Sequence, residues 1–111
     1  MGPMATDVFV VLCTLPDADK AGEVGGALVK ERLAACVNVI PQLRSIYEWE
    51  GTICDDPEVL AVIKTTRDRF EAMRARLVEL HPYDCPEILG LPVEQGHADY
   101  LSWVAEVTRP R

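Results

Sequence analysis

Residues 33–66 read LAACVNVIPQLRSIYEWEGTICDDPEVLAVIKTT, and this stretch decides the fold. It has the composition of two long strands folded back on each other at Glu50-Gly51. Cys36, Val37, Val39, Ile40, Leu43, Ile46, Tyr47 and Trp49 give the first arm its β-branched and aromatic content, and Ile53, Val59, Leu60, Val62, Ile63, Thr65 and Thr66 give the second. Gly51 supplies the backbone freedom of a tight reversal. Fully extended, the first arm from Cys36 to Trp49 spans about 46 Å at roughly 3.3 Å per residue. A compact chain of this length is only very roughly 35 Å across. A straight hairpin therefore overhangs its own domain and exposes Ile46, Tyr47, Trp49 and Ile53 near its tip, an aggregation hazard unless another copy covers it. This predicts a homo-oligomer. Pro41 is the competing signal: it either breaks the first arm in two or makes a bulge.

Outside this hairpin the chain alternates short elements. Val8 to Leu12 (VFVVL) is continuously apolar and reads as a strand buried on both faces, with Cys13 at its end. Pro16 and then Asp17 or Asp19 open a helix, along which Ala21, Val24, Leu28 and Leu33 form an apolar stripe. Gly25-Gly26 lies inside that helix and reads as a site of close helix-on-sheet packing, since a phosphate loop places its glycines between strand and helix. Asp55-Asp56-Pro57 predicts a bulge or turn in the second hairpin arm. With Glu58 these acids are either a hard-cation site or a solvated loop. A second helix runs from Arg67 to Leu80, with Phe70, Met73, Leu77 and Leu80 on its buried stripe and Pro82 stopping it at His81. Arg67, Arg69, Arg74 and Arg76 interleave with acids there and read as a mixed-charge solvated face. Glu87 to Val93 reads as a strand that Pro92 places at a sheet edge. A last helix from Ala98 to Val107 turns Tyr100, Leu101 and Val104 inward.

The order strand, helix, strand, strand, helix, strand, helix is βαββαβ with one added helix. It predicts an α+β, ferredoxin-like fold: a four-stranded antiparallel sheet backed by two helices. The 111 residues make one domain. Residues 1–5 are expected outside its packed part, with Met1-Gly2-Pro3 an added leader before a natural start at Met4. No apolar run approaches the ~20 residues of a membrane span, and no secretory signal pattern opens the chain, so a cytoplasmic location is expected. A net charge of −7 argues against nucleic acid as a partner. An RNA-recognition module shares the βαββαβ order but fails on charge and lacks the RNP1 pattern.

Four cysteines, Cys13, Cys36, Cys54 and Cys85, form no C-x-x-C pair and are expected to be reduced. With His81 and His97 they are the available soft-metal ligands. A small buried hydrophobe is the commoner role of any one of them. No G-x-S-x-G, Walker A or H-E-x-x-H pattern is present, and no catalytic activity is expected. Tyr47, Trp49, Lys64, Tyr83 and Glu87 mix aromatic faces with one base and one acid. They suit a small-molecule pocket at a subunit boundary or, equally, an interface staple in which Lys64 pairs with Glu87.

The segments VVLCT (10–14), ERLAACVNVIP (31–41), YEWEG (47–51), IKTT (63–66), HPYDCPEIL (81–89) and YLSWV (100–104) resemble, in order and spacing, the divalent-cation tolerance family CutA. The resemblance covers Val8 to Val107. It implies a homotrimer in which the hairpins pair across subunits, and a role in tolerance of copper and other divalent cations. It also implies copper or another divalent metal ion held by Cys13 and His81, with Cys36 as a further thiol at a family position. Some members carry two histidines where this chain has Leu80-His81, which removes one implied ligand. The trimeric architecture is similar to that of PII signalling proteins, which sense small molecules at subunit clefts, so a PII-like sensor with an interfacial ligand pocket is the alternative. A scaffold acting through protein partners is a third reading.

Overall fold

A computed structural model describes residues 6–111, so the expectation for residues 1–5 lies outside the described residues. The elements are β1 (Val8–Leu15), α1 (Ala18–Lys30), β2 (Cys36–Trp49), β3 (Thr52–Thr66), α2 (Arg67–Leu80), β4 (Leu89–Pro92) and α3 (Ala98–Val107). The strands form one antiparallel sheet in the order β2-β3-β1-β4. The α+β plan, the added third helix and the long central hairpin are those the sequence predicts.

The hairpin does overhang. β1 pairs with β3 only from Val59 to Thr66, whereas the β2–β3 ladder continues to Trp49 opposite Thr52. The chain accordingly measures 46 × 33 × 22 Å. Pro41 neither ends nor divides β2. A bulge between Ile40 and Leu43 absorbs it, with Gln42 in the left-handed region at φ 64°. The bulge expected at Asp55-Asp56-Pro57 is absent. Those residues pair in regular register with Ile46, Ser45 and Arg44. Pro57 needs no bulge because β3 has there run beyond β1, so one side of the strand is open and the missing donor can face away from the β2 ladder.

Strand alternation gives the sheet two unlike faces. Val11, Cys13, Leu15, Val59, Ala61 and Ile63 face α1 and α2 and form the core with Ala21, Val24, Leu28, Met73 and Leu77. Burying these side chains supplies the main stabilisation, roughly 25 cal/mol per Å² of apolar surface removed from water. The opposite face carries Val10, Leu12, Leu60 and Val62, all only partly buried. α3 covers just one end of it, through Val104 against Val8 and Ala35. Ile40, Leu89 and Leu91, paired with Leu60, Leu12 and Val10, lie on the same face and are about half exposed. β1 is thus buried on one face only within a single chain, not on both.

Asp17 caps α1 by accepting from the Lys20 N–H at 2.7 Å. Gly25 is needed where α1 crosses β2: an added Cβ would lie 3.1 Å from Val37 Cγ1, while nothing lies within 4 Å of one at Gly26. Leu33 is buried but is not part of the α1 stripe. The helix ends at Lys30, and Leu33 lies in the exit turn, its N–H donating to the Leu28 carbonyl at 2.9 Å. Arg32, at φ 61°, makes that turn and donates from Nε and Nη2 to the carbonyls of Arg109 and Glu106, tying the end of α1 to the end of α3. On α2 Arg74 pairs with Glu71 and Arg76 with Glu31, Arg69 donates to the Arg32 carbonyl, and Arg67 lies over the Phe9 ring. β4 is shorter than expected, and Pro92 does lie at the sheet edge. Tyr100 is 40% exposed and does not point into the core as expected; Val104 does.

Candidate functional site

A cavity of about 630 Å³ opens at the foot of the overhang, where β2 and β3 leave β1 behind. One wall is the hairpin, through Ser45, Ile46, Tyr47, Trp49 and Glu58, and the other is the connector after α2, from Pro82 to Cys85 with Glu87. Pro82 and Pro86 stiffen that connector, which fixes Tyr83 over the hairpin. Tyr83 Oη donates to Glu58 Oε2 at 2.6 Å, and Tyr47 Oη donates to Asp56 Oδ2 at 2.6 Å. Both phenols are thereby held in the protonated state. The bond to Asp56 pushes Tyr47 up to about 12, and burial followed by the Glu58 bond pushes Tyr83 higher still.

Four of the five pocket residues expected from sequence meet here: Tyr47, Trp49, Tyr83 and Glu87. Lys64 does not. It lies six positions along β3 from Glu58, roughly 20 Å in an extended strand, and its Nζ donates to Asn38 Oδ1. The Lys64–Glu87 pair expected of an interface staple is therefore not made within the chain. Glu58 is the residue that sequence reasoning missed. It is 8% exposed and lines the cavity, whereas the sequence grouped it with Asp55 and Asp56 as either a hard-cation site or a solvated loop. Regular pairing separates that trio. Asp55 is bound bidentately by Arg44, at 2.9 and 2.6 Å, Asp56 takes the Tyr47 hydroxyl, and Glu58 takes Tyr83. The only sequence signal for Glu58 is a charge set directly against the buried run that starts at Val59.

The metal set is not assembled. Cys13 is fully buried on the helix face, opposite Ala61, while Cys36 pairs with Lys64 on the other face of the sheet. His81 is 7% exposed and spends both ring nitrogens. Nδ1 accepts from the Tyr83 N–H at 3.1 Å, which puts the proton of a neutral ring on Nε2, and Nε2 donates to the Thr14 carbonyl at 2.8 Å. Burial, then Glu87, then Glu58, push the Cys13 thiol up to about 12, away from the thiolate a soft metal requires. Cys13, His81 and Cys36 thus do not fit a metal ion in this arrangement. Among the described residues no group of three or more His, Cys, Asp or Glu side chains is gathered to hold one. His97 stands apart, exposed at the start of α3, and Cys54 and Cys85 are free thiols.

A family model described as "CutA1 divalent ion tolerance protein" matches residues 9–107. The divalent-cation tolerance protein CutA of Thermus thermophilus is 48% identical over 99 residues, 89% of this chain and 96% of that protein. Mouse protein CutA is 46% identical over 107 residues, 96% of this chain, which spans 60% of the mouse protein's length. The crystal structure of CutA from Xylella fastidiosa superposes with a TM-score of 0.92 at 38% identity, covering 94% of this chain and 100% of that one. Among the described residues no helix is long and apolar enough to cross a membrane.

Proposed function

The chain belongs to the CutA1 divalent ion tolerance family, and from that premise we propose that it works as a homotrimer whose functional site is a small-ligand pocket at the foot of the hairpin. The observation that carries this reading is the convergence of Tyr47, Trp49, Tyr83, Glu58 and Glu87 on one cavity of about 630 Å³, within the range of small-molecule sites. Trimerisation is supported by the uncovered apolar face of the sheet and by Ile46, Trp49 and Ile53, which are 65, 49 and 68% exposed on the overhang. A neighbour lying against the hairpin would cover these side chains and close the open side of the pocket. The reading is of a cytoplasmic binding protein and not an enzyme. It is supported by a Cys13 thiol that burial keeps protonated and by four free thiols. A metabolite thermal-shift screen, run with and without divalent metal, tests it. Stabilisation by a small molecule that Tyr83→Ala abolishes is the expected result, and no stabilisation in either arm overturns it.

A second reading places copper, or another divalent metal ion, on Cys13, His81 and Cys36. One observation favours it: Cys13 Sγ and His81 Nε2 both reach the Thr14 carbonyl, at 3.7 and 2.8 Å, so thiol and imidazole are neighbours. Loading would require release of both His81 hydrogen bonds and ionisation of Cys13, and Cys36 would remain across the sheet. An anaerobic Cu(I) titration against a competing chelator, repeated on Cys13→Ser, separates the two readings. Tight binding lost in the variant supports copper at Cys13, and weak binding unchanged by it leaves the pocket as the site.

A further inference from the structure

We propose that the pocket's ligand is an organic cation, an ammonium group carried on an apolar body; this rests on the reading of the cavity as the functional site. The carboxylates Glu58, Asp84 and Glu87 line the cavity, and among the described residues no Lys, Arg or His does. Outside the cavity three acids pair closely with guanidinium groups: Asp55 with Arg44, Glu71 with Arg74, Glu31 with Arg76. Glu58, although 92% buried, has a phenol as its partner and no cation among the described residues. A buried carboxylate without a counter-charge is costly, so the site favours a ligand that brings one.

The hydrogen-bonding inventory points the same way. The Tyr47 and Tyr83 hydroxyl protons are already given to Asp56 and Glu58. The carboxylates and phenols facing the cavity therefore offer acceptors, which a donating ligand satisfies. An ammonium does so with every polar hydrogen it carries.

The aromatic rings choose between an organic and an inorganic cation. A hydrated divalent ion needs several oxygen ligands at fixed distances, and Glu58 Oε2 is already engaged. Trp49, Tyr47 and Tyr83 also line the cavity, and aromatic rings attract a weakly hydrated organic cation and pack against its hydrocarbon. The cavity of about 630 Å³ is also far larger than a single ion fills. The negative potential reaches beyond the walls, since Glu87 and Glu58 both help hold the Cys13 thiol protonated.

Isothermal titration of the 111-residue chain with three probes of one shape tests this: 2-phenylethylammonium, its neutral analogue 2-phenylethanol, and the anion phenylacetate. The ammonium is expected to bind once per chain with a Kd below about 1 mM, more weakly as salt is raised. Glu58→Gln, which keeps an oxygen for Tyr83, is expected to weaken it at least tenfold. Should that variant misfold, Glu87→Gln, at an exposed position, is expected to weaken it as well. Equal binding of the neutral or anionic probe, or an unchanged affinity in both variants, overturns the cation and leaves the pocket reading standing. No binding of the ammonium at about 5 mM also overturns the proposal. If the metabolite screen is blank too, the pocket reading falls with it.

Discussion

Tyr83 Oη lies 2.6 Å from Glu58 Oε2, and this one bond joins the connector after α2 to the hairpin and gives a buried carboxylate its partner. Tyr83→Phe removes the donor and leaves Glu58 with none. Hydrogen bonds to charged groups contribute about 1.5–3 kcal/mol, and Tyr83 is 36% exposed, so a loss near the lower end, about 1.5 kcal/mol, is expected in urea unfolding. A stability unchanged within error would mean that water replaces the phenol.

The four thiols are predicted to differ sharply in reactivity. Cys85 is exposed on the pocket rim, whereas Cys13 is fully buried and its thiol is pushed up to about 12. With a chromogenic disulfide at pH 8, Cys85 is expected to react first and Cys13 only on unfolding. Rapid labelling of Cys13 in the folded protein, read by mass spectrometry, would contradict its place in the core.

The same shift sets a pH dependence. The folded Cys13 thiol titrates near 12, against 9.0 for the unperturbed group. Stability contributed by the protonated thiol is complete below pH 9 and is lost as the pH rises towards 12, because the unfolded chain releases its proton first. Tyr47, raised from 10.0 to about 12, acts in the same direction over the upper part of that window. Melting curves between pH 8 and 11.5 are expected to show a falling Tm, with a shallower fall in Cys13→Ala. Equal slopes in both proteins would show that the thiol is not the source.

Two neighbouring glycines make opposite predictions. Gly26→Ala introduces a Cβ with nothing within 4 Å and replaces a poor helix former, so a gain of up to about 1 kcal/mol is expected. Gly25→Ala puts its Cβ 3.1 Å from Val37 Cγ1 and is expected to be destabilising despite the same gain in propensity. Denaturant midpoints of the two variants decide it; equal shifts would mean that β2 yields to the extra carbon.

The hairpin, α2 and α3 were legible because each writes its own signal. Long β-branched arms meet at Glu50-Gly51, and the spacing of Phe70, Met73 and Leu77 is followed by Pro82. What misled was non-local. Asp55-Asp56-Pro57 looks like an interruption, yet Arg44 and Tyr47 across the ladder hold both acids in a regular strand. Lys64 and Glu87 form a plausible pair of opposite charges, but strand length separates them. Cys13 and Cys36 sit near strand ends whose relative register the sequence does not fix, and an odd register offset puts them on opposite faces. Glu58 was hidden for the same reason: its role depends on Tyr83, which lies 25 positions away and reaches it only through the fold.

Sedimentation equilibrium of the purified chain at micromolar concentration tests the central claim most directly, because the pocket is a subunit-boundary site only if the overhanging hairpin is shared between copies. The account predicts a species of about 37 kDa, three times the 12.3 kDa chain, that loses its association when Ile46 and Ile53 on the overhang are both replaced by Asp. A stable, folded 12.3 kDa monomer would contradict it.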